Sequence, residues 1–208
     1  INAGSGTIDI DADVDVTLGS LSTTSASTTA VTITALAGGV IDGGDLDTDI
    51  VANSGTVVID AATGVGDAGS IDTQISALDL DNTTSGNVDI NEIDDLDINE
   101  LDQDAAVGSV NVDAGGTITV VDGLAGVSAL AGQVELEAIG INSNIAINAS
   151  VVSTTGDIDV LADNDVTFDA TSDITSLSGN VLVAADNDEA VDGGGSVQGA
   201  ITMADGAV

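Results

Sequence analysis

The chain of 208 residues contains no Lys, Arg, His, Pro or Cys, and its only aromatic side chain is one Phe. A chain without cations cannot bind nucleic acid or an anionic membrane by releasing counterions, so both partners are excluded. The lack of Cys excludes disulfides and thiolate metal sites. Paired carboxylates could cleave a glycosidic bond, but His, Lys, Arg, Tyr and Trp, which would bind, orient or stack a sugar, are all missing, and the alternating outer face explains the Asp pairs better. We therefore expect no catalytic residue, no organic cofactor and no enzymatic activity.

Long apolar runs are also missing. No stretch of eighteen apolar residues and no basic segment followed by an apolar one occurs, so the sequence predicts neither a membrane span nor a signal peptide. The first residue is Ile1 rather than Met, and we expect a mature product or a segment of a longer chain. The net charge is −36, yet the hydrophobic content of 43% and the mean hydropathy of +0.37 favour a folded chain over a disordered one.

The sequence does contain a recurring octad of the form small–Gly–x–aliphatic–x–aliphatic–x–Ala, best seen at Thr155–Ala162. Its fourth and sixth positions are apolar at every occurrence, and the residues between them are mostly polar. This alternation predicts a strand with one buried face, and glycine suits the corner before it. We expect all the apolar pairs, Val134 and Leu136 among them, to stack into a single stripe. The octads begin at Ser5, Thr28, Ser54, Ser85, Val107, Ala131, Thr155, Ser178 and Gln198.

Consecutive octads indicate how one coil is built. From Thr155 three octads follow one another, with Ile158, Val166 and Ile174 at their fourth positions, before the next glycine corner. The sequence predicts an all-β solenoid, residues 1–208 as a single segment, with about three short strands per coil of roughly 22–25 residues and about 8–9 coils. We expect Phe168 in the core. A short helix over residues 90–101 is the weaker alternative, because Asp and Asn disfavour it.

The Ser/Thr-Gly-x-Val-x-Val-x-Ala octad resembles the right-handed parallel β-helix repeats of filamentous haemagglutinin-like adhesins and related giant bacterial surface proteins. The resemblance is one of repeat style, and it covers nearly the whole chain. It implies a right-handed coil, secretion to the cell surface or the extracellular space, a long fibre, and a scaffold or adhesive role. The complete lack of Lys and Arg is a departure from that class, although the class does not require either residue.

The outward positions of the octads are acidic, and no internal cation balances them. Neighbouring carboxylates about 5 Å apart repel by roughly 0.8 kcal/mol in water, so salt screening, raised carboxyl pKa values or bound cations must offset the charge. Flexible loops rich in carboxylate oxygens suit Ca²⁺, although a merely solvated acidic face stays the competing interpretation. The candidate metal ligands are the carboxylates of two loops, namely Asp42, Asp45, Asp47, Asp49, Asp186, Asp188 and Asp192.

The sequence thus favours an extracellular structural protein, a rod, fibre or matrix module that associates with itself head-to-tail or laterally and recruits divalent cations. The alternative is a Ca²⁺-dependent adhesin of a bacterial cell surface. Ice binding is a further alternative, but the threonine pairs that it needs are isolated. Asn82 and Asn148 each begin an N-glycosylation sequon, and their use is left open.

Overall fold

The computed structural model describes residues 1–44, 47–187 and 200–203. Within these ranges the protein is all-β, and its strands pair in parallel into a β-solenoid of about eight turns, as predicted. The strands are β1 (Ile8–Ala12), β2 (Val16–Leu18), β3 (Leu21–Ser22), β4 (Val31–Ala35), β5 (Val40–Asp42), β6 (Ile50–Ala61), β7 (Ile71–Asn82), β8 (Val88–Glu92), β9 (Leu96–Gln103), β10 (Val110–Ala114), β11 (Ile118–Val120), β12 (Gly126–Ala129), β13 (Val134–Ala138), β14 (Ile145–Ile147), β15 (Val151–Ser153), β16 (Ile158–Ala162), β17 (Val166–Phe168), β18 (Ile174–Ser176), β19 (Val181–Ala185) and β20 (Ile201–Met203).

Three faces are clearest from β8 onward. Face A stacks β8, β10, β13, β16 and β19. Face B stacks the first part of β9 on β11, β14, β17 and β20. Face C stacks the second part of β9 on β12, β15 and β18. The three octads that begin at Thr155 therefore supply one strand to each face, which confirms the predicted coil.

The first coils extend the same faces. Face C continues backward through the second halves of β7 and β6 to β4 and β1. Face A also continues backward from β8. Ile90 of β8 pairs with Ile71 of β7, and single-residue bridges link Val88 to Val65 and Val65 to Val40 of β5, which pairs with β2. β6 and β7 are each 12 residues long, because in these two coils the chain runs across a corner without leaving the ladder.

The octads do not form one stripe, and this prediction was wrong. The first three lie on face C and the next five on face A, while the strand of the ninth, Ile201–Met203, pairs with β17 on face B. An octad describes a strand and the corner before it, and every face meets that description. The change of face falls at the 31-residue interval between Ser54 and Ser85, which is longer than one coil. Val57 pairs with Leu78, 21 residues later, and the chain reaches Val88 on face A after 10 more.

The core is a column of aliphatic side chains inside the coils. Val134 and Leu136 are both 0% exposed, and Phe168 is 8% exposed, as predicted. Residues 90–101, for which a helix was the alternative, belong to β8 and β9 and the corner between them. Among the described residues, no helix is long and apolar enough to span a membrane.

A column of glycines lines the corner that precedes face A. An added Cβ atom would lie much less than 3.0 Å from the backbone carbonyl oxygen of the glycine one coil earlier, a distance that real Cβ atoms essentially never show. This holds for Gly108, Gly132, Gly156 and Gly179. The octads of face A therefore need glycine because successive coils touch backbone to backbone at this corner, and only Gly132 of these four also has a positive φ, of 97°.

Candidate functional site

Many aspartates of this chain hold neighbouring coils together. At the corners, a carboxylate accepts a hydrogen bond from the backbone N–H of the equivalent residue one coil later. Asp95 Oδ1 accepts from Thr117 N at 2.7 Å, and Asp157 Oδ1 accepts from Asn180 N at 2.6 Å. An N–H group at such a corner would otherwise lack a protein partner. These side chains therefore act as coil-to-coil connectors, a role that the alternating sequence pattern does not reveal.

The outer surface of face A alternates carboxylates with amides. Asn111 Nδ2 donates to Asp89 and to Asp113, at 3.3 Å in each case. Gln133 Nε2 donates to Glu135 at 2.9 Å and to Asp159 at 2.8 Å. Amide donors therefore replace some of the cations that this chain lacks, and they separate charges that would otherwise face each other across the 4.8 Å spacing of strands.

The repulsion on face A is not cancelled completely. Partial burial raises the pKa of Glu135, and the neighbouring charges of Glu137, Asp159 and Asp113 raise it further. The pKa of Asp113 is also raised by burial, although the hydrogen bond from Asn111 acts in the opposite direction.

Face C carries a denser group of charge without amides. Asp60, Asp81 and Asp102 occupy equivalent positions on β6, β7 and β9, and Asp79 lies beside Glu100. We call these five residues the face C acidic cluster. Carboxylate oxygens of Asp81, Glu100 and Asp102 lie within 4.8 Å of one another, and all three side chains are partly buried.

The face C acidic cluster binds protons more tightly than separate carboxylates would. Burial raises the pKa of Asp81 to about 6, helped by the charges of Glu100, Asp60, Asp102 and Asp79. Burial and neighbouring charge also raise the pKa values of Asp79 and Glu100. Ser128, which lies beside the cluster on β12, donates a hydrogen bond from its hydroxyl to Asp102. Three partly buried carboxylates at this distance can supply hard oxygen ligands to a divalent cation.

The ligands predicted from sequence lie elsewhere. Asp42 Oδ1 accepts a hydrogen bond from Gly44 N at 3.0 Å, while Asp49 is 0% exposed and its Oδ2 accepts from Asp72 N at 3.1 Å. Asp47 and Asp186 are exposed, and Asp186 has a φ of 62°. The structure does not place these four in the group of three described above. The other predicted ligands, Asp45, Asp188 and Asp192, lie outside the described residues, so the two loop sites stay predictions.

The sequence did contain a signal for the face C acidic cluster. Asp60, Asp81 and Asp102 follow one another at a constant interval of 21 residues, as do Asp79 and Glu100. The octads do not show this interval, because those that start at Ser54 and Ser85 are 31 residues apart.

Comparison with known protein families, with curated proteins and with solved structures found no match. The parallel β-solenoid is established by the strand pairing itself.

One of the two sequons has a structural role. Asn82 is 0% exposed, and its side-chain amide donates to Gln103 Oε1 at 2.8 Å, while its oxygen accepts from Gly64 N at 2.9 Å. In the folded chain this side chain is closed to a glycosylating enzyme.

Proposed function

We propose that this protein is a structural module, a rod that contributes to an extracellular fibre or matrix and that associates with further copies of itself. The observation that carries the proposal is the use of the polar surface. Corner aspartates and outward amides bond the next coil rather than converging on a substrate. A chain whose polar groups mainly join its own coils is suited to length and stiffness.

The end of the rod supports self-association. β19 pairs with β16, and no other described strand covers its free side. Val181 and Leu182 are 46% and 50% exposed, whereas Ile158, which pairs with Val181, is 0% exposed. A parallel edge that the described residues leave uncovered, with half-exposed aliphatic side chains, is a template for another strand. The charge of −36 opposes association of two copies, so we expect salt or divalent cations to promote it.

Self-association can be tested on the whole chain. We expect particle length by electron microscopy, and mass by sedimentation, to increase with protein concentration in millimolar Ca²⁺ or in high salt. Val183→Pro should reduce this growth, because proline removes an N–H from the free edge. Circular dichroism would check that the variant keeps its fold. Monomers at every concentration under all these conditions would contradict the self-association.

The competing proposal is a Ca²⁺-dependent adhesin of a bacterial surface, as the resemblance to haemagglutinin-like repeats implies. It is favoured by one observation, the approach of Asp81, Glu100 and Asp102 to within 4.8 Å. A surface module of this kind would bind Ca²⁺ with a dissociation constant of about 0.1–1 mM, and a rigid, cation-loaded face would then present a defined ligand surface.

Calcium binding at the face C acidic cluster makes a sharp prediction. At 10 mM Ca²⁺ the free energy of unfolding should rise by about 1–3 kcal/mol, as mass action requires for that range of affinity. Asp81→Asn combined with Asp102→Asn should abolish this gain and should stabilise the chain in chelator, because it removes repulsion. Urea titration with and without Ca²⁺ measures both effects.

The matched control for the calcium prediction is Asp89→Asn combined with Asp113→Asn, which removes the same charge from the amide-containing surface of face A. This control variant should keep the increase in the free energy of unfolding that Ca²⁺ produces. An equal loss in both double variants would show that Ca²⁺ acts only by general screening.

A further inference from the structure

The ladder between β7 and the next coil has a gap. β7 runs without a break from Ile71 to Asn82, whereas the next coil turns a corner between β8 and β9. Thr73 pairs with Glu92, and Ala77 pairs with Asp97. Three residues of β7 therefore face four residues of the corner, so that a regular parallel ladder cannot continue across it.

Glu92 closes this gap from inside. It is 1% exposed and occupies the last position of its octad, where the partner strand β10 has Ala114. Its Oε2 accepts hydrogen bonds from Thr73 Oγ1 at 2.7 Å and from Ile75 N at 3.1 Å. Its Oε1 accepts from Asp94 N at 3.2 Å. One carboxyl group thus supplies acceptors to both sides of the gap.

Few titratable groups approach Glu92. β7 presents Thr73 and Ile75, and β10 presents Ala114, none of which titrates. The corner contributes Asp94, whose carboxylate accepts a hydrogen bond from Gln74 Nε2 at 3.1 Å. Outside the gap, a groove of about 420 Å³ is lined by Asn53, Ile75, Ser76, Asp94, Asp95, Asp97, Thr117 and Thr119. The groove adjoins the buried carboxyl group, since its lining includes Ile75 and Asp94, whose backbone N–H groups bond Glu92, and the only charged residues in that lining are acidic.

We propose that the junction between β7 and β8 is a pH-sensitive joint of the solenoid, which is closed while Glu92 is protonated and opens locally when Glu92 ionises. A buried charge among negative neighbours can be relieved by letting water from the groove reach it. Every other octad of face A ends in alanine, at Ala114, Ala138, Ala162 and Ala185, so the device is confined to this junction. It is independent of whether the rod associates with itself.

The direction of the pH dependence follows from burial. Burial raises the pKa of Glu92 to about 7, and the carboxylate of Asp94 raises it too, whereas the hydrogen bonds from Thr73, Asp94 N and Ile75 lower it. An acid whose pKa is higher in the folded than in the unfolded chain adds stability at low pH. This contribution is complete below about pH 4.5 and is lost as the pH rises through about 7.

Hydrogen exchange of the whole chain between pH 5 and pH 8 tests the joint. After correction for the intrinsic exchange rate, the equilibrium constant for opening at the Ile75 and Asp94 amides should increase at least tenfold over this range. A pKa shift of one unit or more produces a change of that size. The amides of Val134 and Ile158, at the junction of β13 and β16, should change much less. The same pH-dependent change in opening at the two junctions would overturn the proposal.

Two variants separate the carboxyl group from its surroundings. Glu92→Gln should make exchange at Ile75 and Asp94 independent of pH, because the replacement cannot ionise. The control Glu135→Gln, an outward carboxyl of face A, should leave the pH dependence at Ile75 intact. If Glu92→Gln kept the pH dependence, the proposal would be wrong. If that variant fails to fold, the parent chain still tests the proposal. A titration midpoint below pH 5 for the carboxyl carbon of Glu92, measured by carbon-13 NMR, would also contradict it.

Discussion

Gly156→Ala is expected to lower the free energy of unfolding by at least about 3 kcal/mol. The added Cβ would collide with the carbonyl oxygen of Gly132 in the preceding coil, and because this oxygen belongs to the backbone, no rotamer change can relieve the contact. Gly156 does not have a positive φ, so the penalty comes from the collision and not from backbone strain. Overpacking of a side chain usually costs 1–3 kcal/mol, and a collision with rigid backbone belongs at or above the upper end.

Urea denaturation monitored by circular dichroism measures this effect, and Gly19→Ala is the control. Gly19 is exposed, its φ lies outside the left-handed region, and nothing lies within 4 Å of a Cβ placed on it. The control should stay within about 0.5 kcal/mol of the parent. If both variants had the same small effect, the coils would not touch backbone to backbone at the glycine corner.

Leu136→Ala is expected to cost about 2–5 kcal/mol. Leu136 is 0% exposed and stacks between Val112 and Val160, so its removal leaves a cavity between two paired coils. The control is Leu161→Ala, the same chemical change on β16 at a position that is partly exposed and points outward. It should cost well under half as much. Equal losses at the two sites would mean that Leu136 does not face the core.

The architecture was largely predictable because alternation is a local property. The octads beginning at Thr155 predicted one strand on each of three faces, and Ile158, Val166 and Ile174 occupy them. What alternation cannot predict is register between coils, since every face shows the same pattern. The stacking of Val57 on Leu78 rather than on Val88 illustrates this, because both candidate partners are aliphatic and both precede an aspartate.

The polar sites were less predictable than the core. Glu92 ends an octad in the place of alanine, and only the structure shows that the neighbouring coil leaves an N–H of Ile75 for it to bind. The face C acidic cluster follows a 21-residue interval that the octad spacing does not show, and the ladder reaches that interval only after a register shift between Leu78 and Asp79. Asp49, which the sequence suggested as a ligand on a flexible loop, is buried because its carboxylate binds Asp72 N.

The parallel pairing also fixes how the molecule responds to tension. The hydrogen bonds between coils point along the rod axis, so a force applied to the two ends loads them in the unzipping direction, one junction after another, instead of shearing a whole sheet at once. Each coil that peels away releases about 22–25 residues, or roughly 80 Å of extended chain. A fibre made of such coils would lengthen in steps and absorb mechanical work before it broke.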